Sequence, residues 1–365
     1  MMTSRPDMIA GLAASAPSGR AAERHRTPPS RPGLRDGLSY LFCAFLITAA
    51  LAGMDEAHAA DSVREIPLPT SFDYPNGITT TPDGTLYVGS VTSGDILRIT
   101  PEGTIERAFQ ETETVFAGTA LRFDPTTGLL WVASPDFLGQ EIDGEQVRRP
   151  HRIGAIDIAQ RRVVWSSTLP DDGFANDMAL DGTGGIYITD SIRDRILHLA
   201  APGAAFETVT DAPLLSPGDL GPAGIVMTRD GDLIIGLYSE GALLRVTLDE
   251  AAAQVEPLEL TRRIENPDGL ALAPDGRLLV LEGAVRSGDG KLLVIDPNGP
   301  SPLEVETLAD GLDMPLNLTL LGNEVAVSEG RLRHLMLDDS GLSVPEVFRI
   351  VVVPLDETSA AETGR

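Results

Sequence analysis

The sequence predicts an all-β fold, a six-bladed β-propeller of four-stranded blades, and three observations carry the prediction. One pattern recurs: Pro75–Gly103 (PNGITTTPDGTLYVGSVTSGDILRITPEG), Ala175–Gly203 (ANDMALDGTGGIYITDSIRDRILHLAAPG), Pro222–Glu250 and Pro267–Gly299 share it, with looser copies at Gly118–Ile158 and Pro315–Leu337. The copies are evenly spaced. Their equivalent positions Asn76, Thr119, Asn176, Ala223, Asp268 and Leu316 lie 43 to 57 residues apart, the period of propeller blades. Within a copy, apolar residues alternate, as Met178, Leu180, Ile186 and Ile188 do, which is the period of a strand. A unit with two exposed sheet faces cannot stand alone; radial packing of six buries the faces and leaves short edges.

Residues 1–36, rich in Arg, Pro, Ser and Ala, are expected to be a disordered basic leader. Gly37–Met54 is an uncharged apolar run, and Ala57-His58-Ala59 follows it. That layout is a signal-peptide apolar region and cleavage site over residues 37–59. An uncleaved anchor is the alternative, since the eighteen residues of Gly37–Met54 are just enough to span. The expected product is exported, periplasmic or secreted, without stable membrane insertion after cleavage. Its one cysteine, Cys43, lies in the apolar run, so the domain has no disulfide, and a propeller of this size has core enough without one.

The propeller is expected over residues 60–355, with a flexible tail at 356–365. Arg64–Leu68 reads as a strand that closes the ring by joining the last blade; the C-terminal Val347–Val353 is the competing candidate for that place. Blade one turns at Pro82-Asp83-Gly84 and Ser93-Gly94. Asp83, Asp230 and Asp275 serve such turns and are structural. Blade two carries a long insertion, PDFLGQEIDGEQVRRPHR, at 135–152. It is either a solvated loop or a lid over the mouth bearing Asp136, Phe137, Arg148, Arg149 and His151. Blades three, four and five keep one spacing, and blade six is the shortest. His198 and His334 fall in expected third strands and read as structural.

Net charge is −26, from 28 basic and 54 acidic residues. Such a surface repels nucleic acid and anionic membranes, and leaves open a small molecule or a protein partner. The first position of each repeat opens the innermost strand, so six of them ring one mouth of the channel: Asn76, Thr119, Asn176, Ala223, Asp268 and, from blade six, Leu316 or Asn317. The return ends of the second strands form a second ring, Ser90, Ser134, Asp190, Leu237, Glu282 and Glu329. Carboxylates converging near Asp268 would repel, and a hard cation bound by carboxylate and amide oxygens would relieve that. Simple solvation of Asp190, Glu282 and Glu329, and backbone capping by Asn and Asp at strand starts, are the structural alternatives. No Gly-x-Ser-x-Gly elbow occurs, which disfavours a serine hydrolase.

PNGI at 75–78, ANDMALDGTGGIYITDS at 175–191 and PDGLALAPDGRLLV at 267–280 make the chain resemble the SMP-30/gluconolactonase/LRE-like family, with paraoxonases and strictosidine synthases as more distant relatives. The resemblance covers all six blades. It implies a propeller that binds a divalent cation, Ca²⁺ rather than Zn²⁺, and hydrolyses lactones at the channel mouth. It makes Asp268 the general base and a metal ligand, and Asn176 the residue that holds substrate. The family's first-blade Glu is Asn76 here and its fourth-blade Asn is Ala223. The expected metal set is therefore Asn76, Asn176, Asp268 and Glu282. Asn176, Asn317, Asp190, Glu329 and His151 are the expected substrate contacts. Metal-assisted lactone or ester hydrolysis leads. A non-catalytic binding propeller, or a lyase or synthase on the same scaffold, stays open, since function resides in the site and not the fold.

Overall fold

The computed structural model describes residues 63–142, 145–248, 252–337 and 341–355. The leader, signal segment and tail expected over 1–59 and 356–365 lie outside the described residues. Six four-stranded sheets form, one per repeat. Their innermost strands are Pro75–Thr80, Ala120–Asp124, Ala175–Leu180, Pro222–Met227, Pro267–Leu272 and Pro315–Leu321. Each packs beside the innermost strands of its neighbours, and the ring closes where Pro75–Thr80 meets Pro315–Leu321. Among the described residues no helix is long and apolar enough to cross a membrane.

Sequence dictates this blade by blade. The second strands are covered on both faces by neighbouring blades, so Leu233–Leu237 (LIIGL) and Leu278–Glu282 (LLVLE) read as near-continuous apolar runs and are buried throughout. Hairpins turn on acidic side chains: the Asp83 carboxylate accepts from the Thr81 hydroxyl at 2.6 Å and the Thr85 amide at 3.1 Å, and Asp275 accepts from the Arg277 amide at 2.9 Å. Six apolar clusters fill the six interfaces between blades. Trp131 and Ile153 of blade two meet Met178 and Ile188 of blade three, for example, and Leu279 and Leu292 of blade five meet Val325 and Val351 of blade six. A seventh cluster, with Val91, Tyr238, Val285, Met314 and Leu332, lies apart from these interfaces and surrounds one end of the channel.

Two candidates competed to close the ring, and both take part. Arg349–Pro354 is the third strand of blade six, pairing with Glu324–Glu329, and Arg64–Pro67 is its fourth, pairing outside it. The third strand expected around His334 is instead a short helix, Arg333–Met336. With the closing strand supplied from further along the chain, this segment is released from the sheet and lies over the mouth.

The strand starts share one irregularity that positions the site. In blades one, three, four, five and six the pairing with the second strand slips by one residue just after the first, between Pro75 and Ile78 or Pro267 and Leu270, for example. Such a bulge redirects side chains. The residue after the ring position is Gly77, Gly224 or Gly269 in three blades. At Gly77 a Cβ would lie 2.8 Å from the backbone of Gly118 and Ala120, so the inner strands touch there backbone to backbone.

Candidate functional site

Asn76, Thr119, Asn176, Asp268 and Leu316 all line one cavity of about 110 Å³ at the channel mouth. That is room for several waters or one small organic group. The structure thus brings together three residues expected from sequence, Asn76, Asn176 and Asp268. Ala223 completes the ring as part of the apolar cluster around it. Thr119 is 8% exposed, and its hydroxyl has no hydrogen-bond partner. A buried polar group without a partner is costly, and a ligand is one way to satisfy it. Asp268 is half-buried. Burial first, and the nearby Asp177 carboxylate second, push its carboxyl well above the usual range. The Tyr238 phenol also lines the cavity; burial, then the Asp268 and Glu265 charges, push it up, so it stays neutral.

Beneath the ring the channel is closed by a polar network. Asp177 occupies the position that glycine holds in three other blades, and its side chain is buried. Arg122 donates to both of its oxygens at 2.7 and 2.9 Å, and the Ile225 amide donates at 3.3 Å. Asn317 bridges the pair, accepting from Arg122 at 3.3 Å and donating to Asp177 at 3.4 Å. Asn317, expected as a substrate contact, is therefore a member of this plug and does not line the cavity. Sequence reasoning missed Arg122, Asp177 and Tyr238. The break in the glycine pattern at Asp177 was the available signal.

The second ring is a correction. Glu282, Asp190 and Glu329 do not line the cavity. Each accepts a hydrogen bond from the backbone entering its own blade: Asp190 from Phe174 at 2.8 Å, Glu282 from Glu265 at 2.8 Å, Glu329 from Asp313 at 2.9 Å. Ser134 does the same for Phe116 and Ala117, both at 2.9 Å. Each carboxylate also meets an arginine: Arg195 at 3.0 Å, Arg262 at 2.8 and 3.0 Å, and Arg349 at 2.5 Å respectively. Mutual repulsion is thus relieved internally, pair by pair, and these side chains tie the inner-strand entry to the sheet.

The insertion at 135–152 is likewise mostly structural. It forms a two-stranded hairpin, Gln140–Ile142 with Glu145–Val147. Its expected charged residues pin the hairpin base. His151 Nδ1 accepts the Asp136 amide at 2.7 Å, Asp136 accepts the Arg149 amide at 2.6 Å, and Arg148 donates to the carbonyls of Asp136 and Phe137 at 3.0 and 2.6 Å. His151 is not in the cavity; its ring lies edge-on to Phe174 at 5.1 Å, and burial lowers its pKa to about 4. Phe137 alone of this set reaches the cavity, T-shaped to Phe174 at 6.3 Å.

The donor set does not fit the expected cation. A hard divalent ion takes about six to eight oxygens, carboxylates prominent among them. The ring positions offer the oxygens of Asn76, Thr119 and Asn176 and the carboxylate of Asp268, while Ala223 and Leu316 contribute none; of the other oxygens lining the cavity, the Tyr238 phenol stays neutral and the Asp219 carboxylate lies at the exposed edge. Glu282, the second carboxylate of the expected set, is bound by Arg262. Among the described residues no group of three or more His, Cys, Asp or Glu side chains is arranged to hold a metal.

No family model matches the chain, and no curated protein matches it by sequence. Solved structures do match in fold. A gluconolactonase from Xanthomonas campestris is 14% identical, with 80% of this chain and 90% of that one covered and a TM-score of 0.55. A luciferin-regenerating enzyme is 13% identical, covering 80% and 96%, with a TM-score of 0.55. Virginiamycin B lyase from Staphylococcus aureus is 14% identical, covering 81% and 99%, with a TM-score of 0.54. Gluconolactonases and the luciferin-regenerating enzyme represent the family that the repeat motifs resemble, and the likeness is one of fold: a six-bladed propeller.

Proposed function

We propose that the chain hydrolyses a lactone or ester at the channel mouth, with Asp268 as proton acceptor and without a bound metal. One observation carries this reading: an unpartnered hydroxyl, two amides and a carboxyl of raised pKa share the floor of one largely apolar cavity. A carboxylate made more basic by burial is suited to general-base catalysis. In the step proposed, Asp268 takes a proton from water as its oxygen bonds to the carbonyl carbon. The carbonyl electron pair moves onto its oxygen, which the amides of Asn76 and Asn176 and the Thr119 hydroxyl stabilise as donors. Collapse breaks the carbon–oxygen ester bond, and the leaving alkoxide recovers the proton from Asp268. The product is a hydroxy acid, or an acid and an alcohol. Gluconolactonases among the fold neighbours support a lactone as the substrate class. Export of the chain belongs to the same proposal and rests on the apolar run before residue 60.

A second reading, a receptor that binds without turnover, is favoured by the ring's apolar gaps at Ala223 and Leu316. The test is a panel of lactones and esters assayed in chelator-treated buffer, with Asp268→Asn alongside. Turnover in the wild type, reduced about 10²- to 10⁴-fold by the substitution, supports hydrolysis. Saturable binding with no turnover of any member favours the receptor.

A further inference from the structure

We infer that the mouth selects a ligand with an apolar body and one compact carbonyl head, an alkyl- or aryl-substituted lactone or ester and not a polyhydroxylated one. The identity of the head group rests on the proposed hydrolysis; the apolar body rests on the cavity alone. The cavity has two zones. Its floor holds the Asn76 and Asn176 amides, the unpartnered Thr119 hydroxyl and the Asp268 carboxyl, enough for one carbonyl and one attacking water. Its wall is built by the turns after the second strands and by the segments entering the first. These supply Val91, Phe137, Ile192, Leu220, Met314 and Leu332.

A sugar-like lactone would bring several hydroxyls against that wall, and each would lose water without gaining a partner. Beyond the single Tyr238 phenol, the wall offers little in return. The Ser191 hydroxyl already donates to the Pro222 carbonyl at 2.5 Å, and Asp219 sits at the exposed edge. An alkyl or aryl body instead gains by burial, roughly fourfold in affinity per methylene. Met314 and Met336, flexible and polarisable, adapt the wall to bodies of different shape. The small polar zone accounts for head-group recognition and the larger apolar zone for the body, the usual division in small-molecule sites.

The test uses the purified chain and two readouts. Calorimetry measures binding of γ-lactams that carry no side chain, an ethyl group or a hexyl group, and of a glucono-lactam. Kinetics measures kcat/KM for the matching lactones. Affinity is expected to rise at least about tenfold from the unsubstituted to the hexyl compound, with the sugar analogue weakest. In Leu220→Asp the hexyl-over-unsubstituted ratio should fall to within about threefold. A sugar analogue that binds or turns over better than the hexyl compound overturns the inference, as does affinity independent of chain length. Chain-length-dependent lactam binding without turnover of any lactone upholds the inference and overturns the hydrolysis it was joined to.

Discussion

In the proposed function, Asp268 is where the molecule trades stability for chemistry. Its carboxyl is buried near a second carboxylate, Asp177, and its pKa is raised. The native state therefore holds a proton that the unfolded chain releases, and this proton-linked stabilisation declines as pH rises above the ordinary carboxylate value. Asp268→Asn, which cannot ionise, should melt higher than the wild type at pH 8. The difference should shrink on acidification and vanish near pH 4; thermal unfolding across that range is the check. Thr119→Val tests the opposite balance. It removes an unpartnered buried hydroxyl, so stability should hold or rise by about 1 kcal/mol while binding of a carbonyl ligand weakens, by calorimetry. The ring itself was legible, because aligned repeats bring Asn76, Asn176 and Asp268 to one register. Which carboxylates stay available was not. The arginines that engage Asp190, Glu282 and Glu329 lie at unrelated offsets, five residues after, twenty before and twenty after, and no repeat pattern encodes them.

At the scale of elements, those carboxylates act as fasteners between the second strand and the chain entering the blade. Glu329 is fully buried with Arg349 and the Asp313 amide as partners. Glu329→Ala should cost about 1–3 kcal/mol in denaturant unfolding, the penalty for leaving the Asp313 amide without its acceptor, since Arg349 is part-exposed and keeps Glu65, with no change in ligand affinity at the mouth. The hairpin base behaves differently because His151 is held neutral. Its pKa falls from 6.5 in the open chain to about 4 in place, through burial and the Arg148 charge, with Asp136 and Asp172 opposing. The stabilisation it gives is complete above pH 6.5 and is lost as pH falls through about 4. The Asp136 amide should accordingly exchange faster at pH 4.5 than intrinsic rates explain, and His151→Asn should remove that acid sensitivity. Sequence length alone flagged this insertion as more than a link. That Phe137 reaches the cavity while the charged residues only anchor the base depended on packing against Phe116 and Phe174, which enter blades two and three, contacts that no repeat pattern encodes.

As a whole molecule, the ring is held shut by both ends of the described chain. Arg64–Pro67 covers Arg349–Pro354, joined by Arg64–Glu324 at 2.8 Å and Arg349–Glu65 at 2.6 Å, with Leu68 buried behind it. Deleting residues through 68 should destabilise by about 3 kcal/mol, from the burial of Leu68 and the half-buried Ile66. It should also promote self-association by exposing a valine-rich edge; sedimentation checks the second effect. The number of blades was readable from the repeat period. The shared closure was not, since two candidate strands fit one place equally well; the segment around His334 is a helix and not a strand, so both are used. In the proposed function, this closed ring presents Asp268 as a base at a mouth that works without a metal. The most direct test is kcat/KM against pH for the best lactone of the panel, in chelator, for the wild type and Asp268→Asn. A rising limb above the ordinary carboxylate range, present in the wild type and absent in the variant, is the predicted result. An unchanged limb in Asp268→Asn, or activity that appears only on adding a divalent cation, would contradict it.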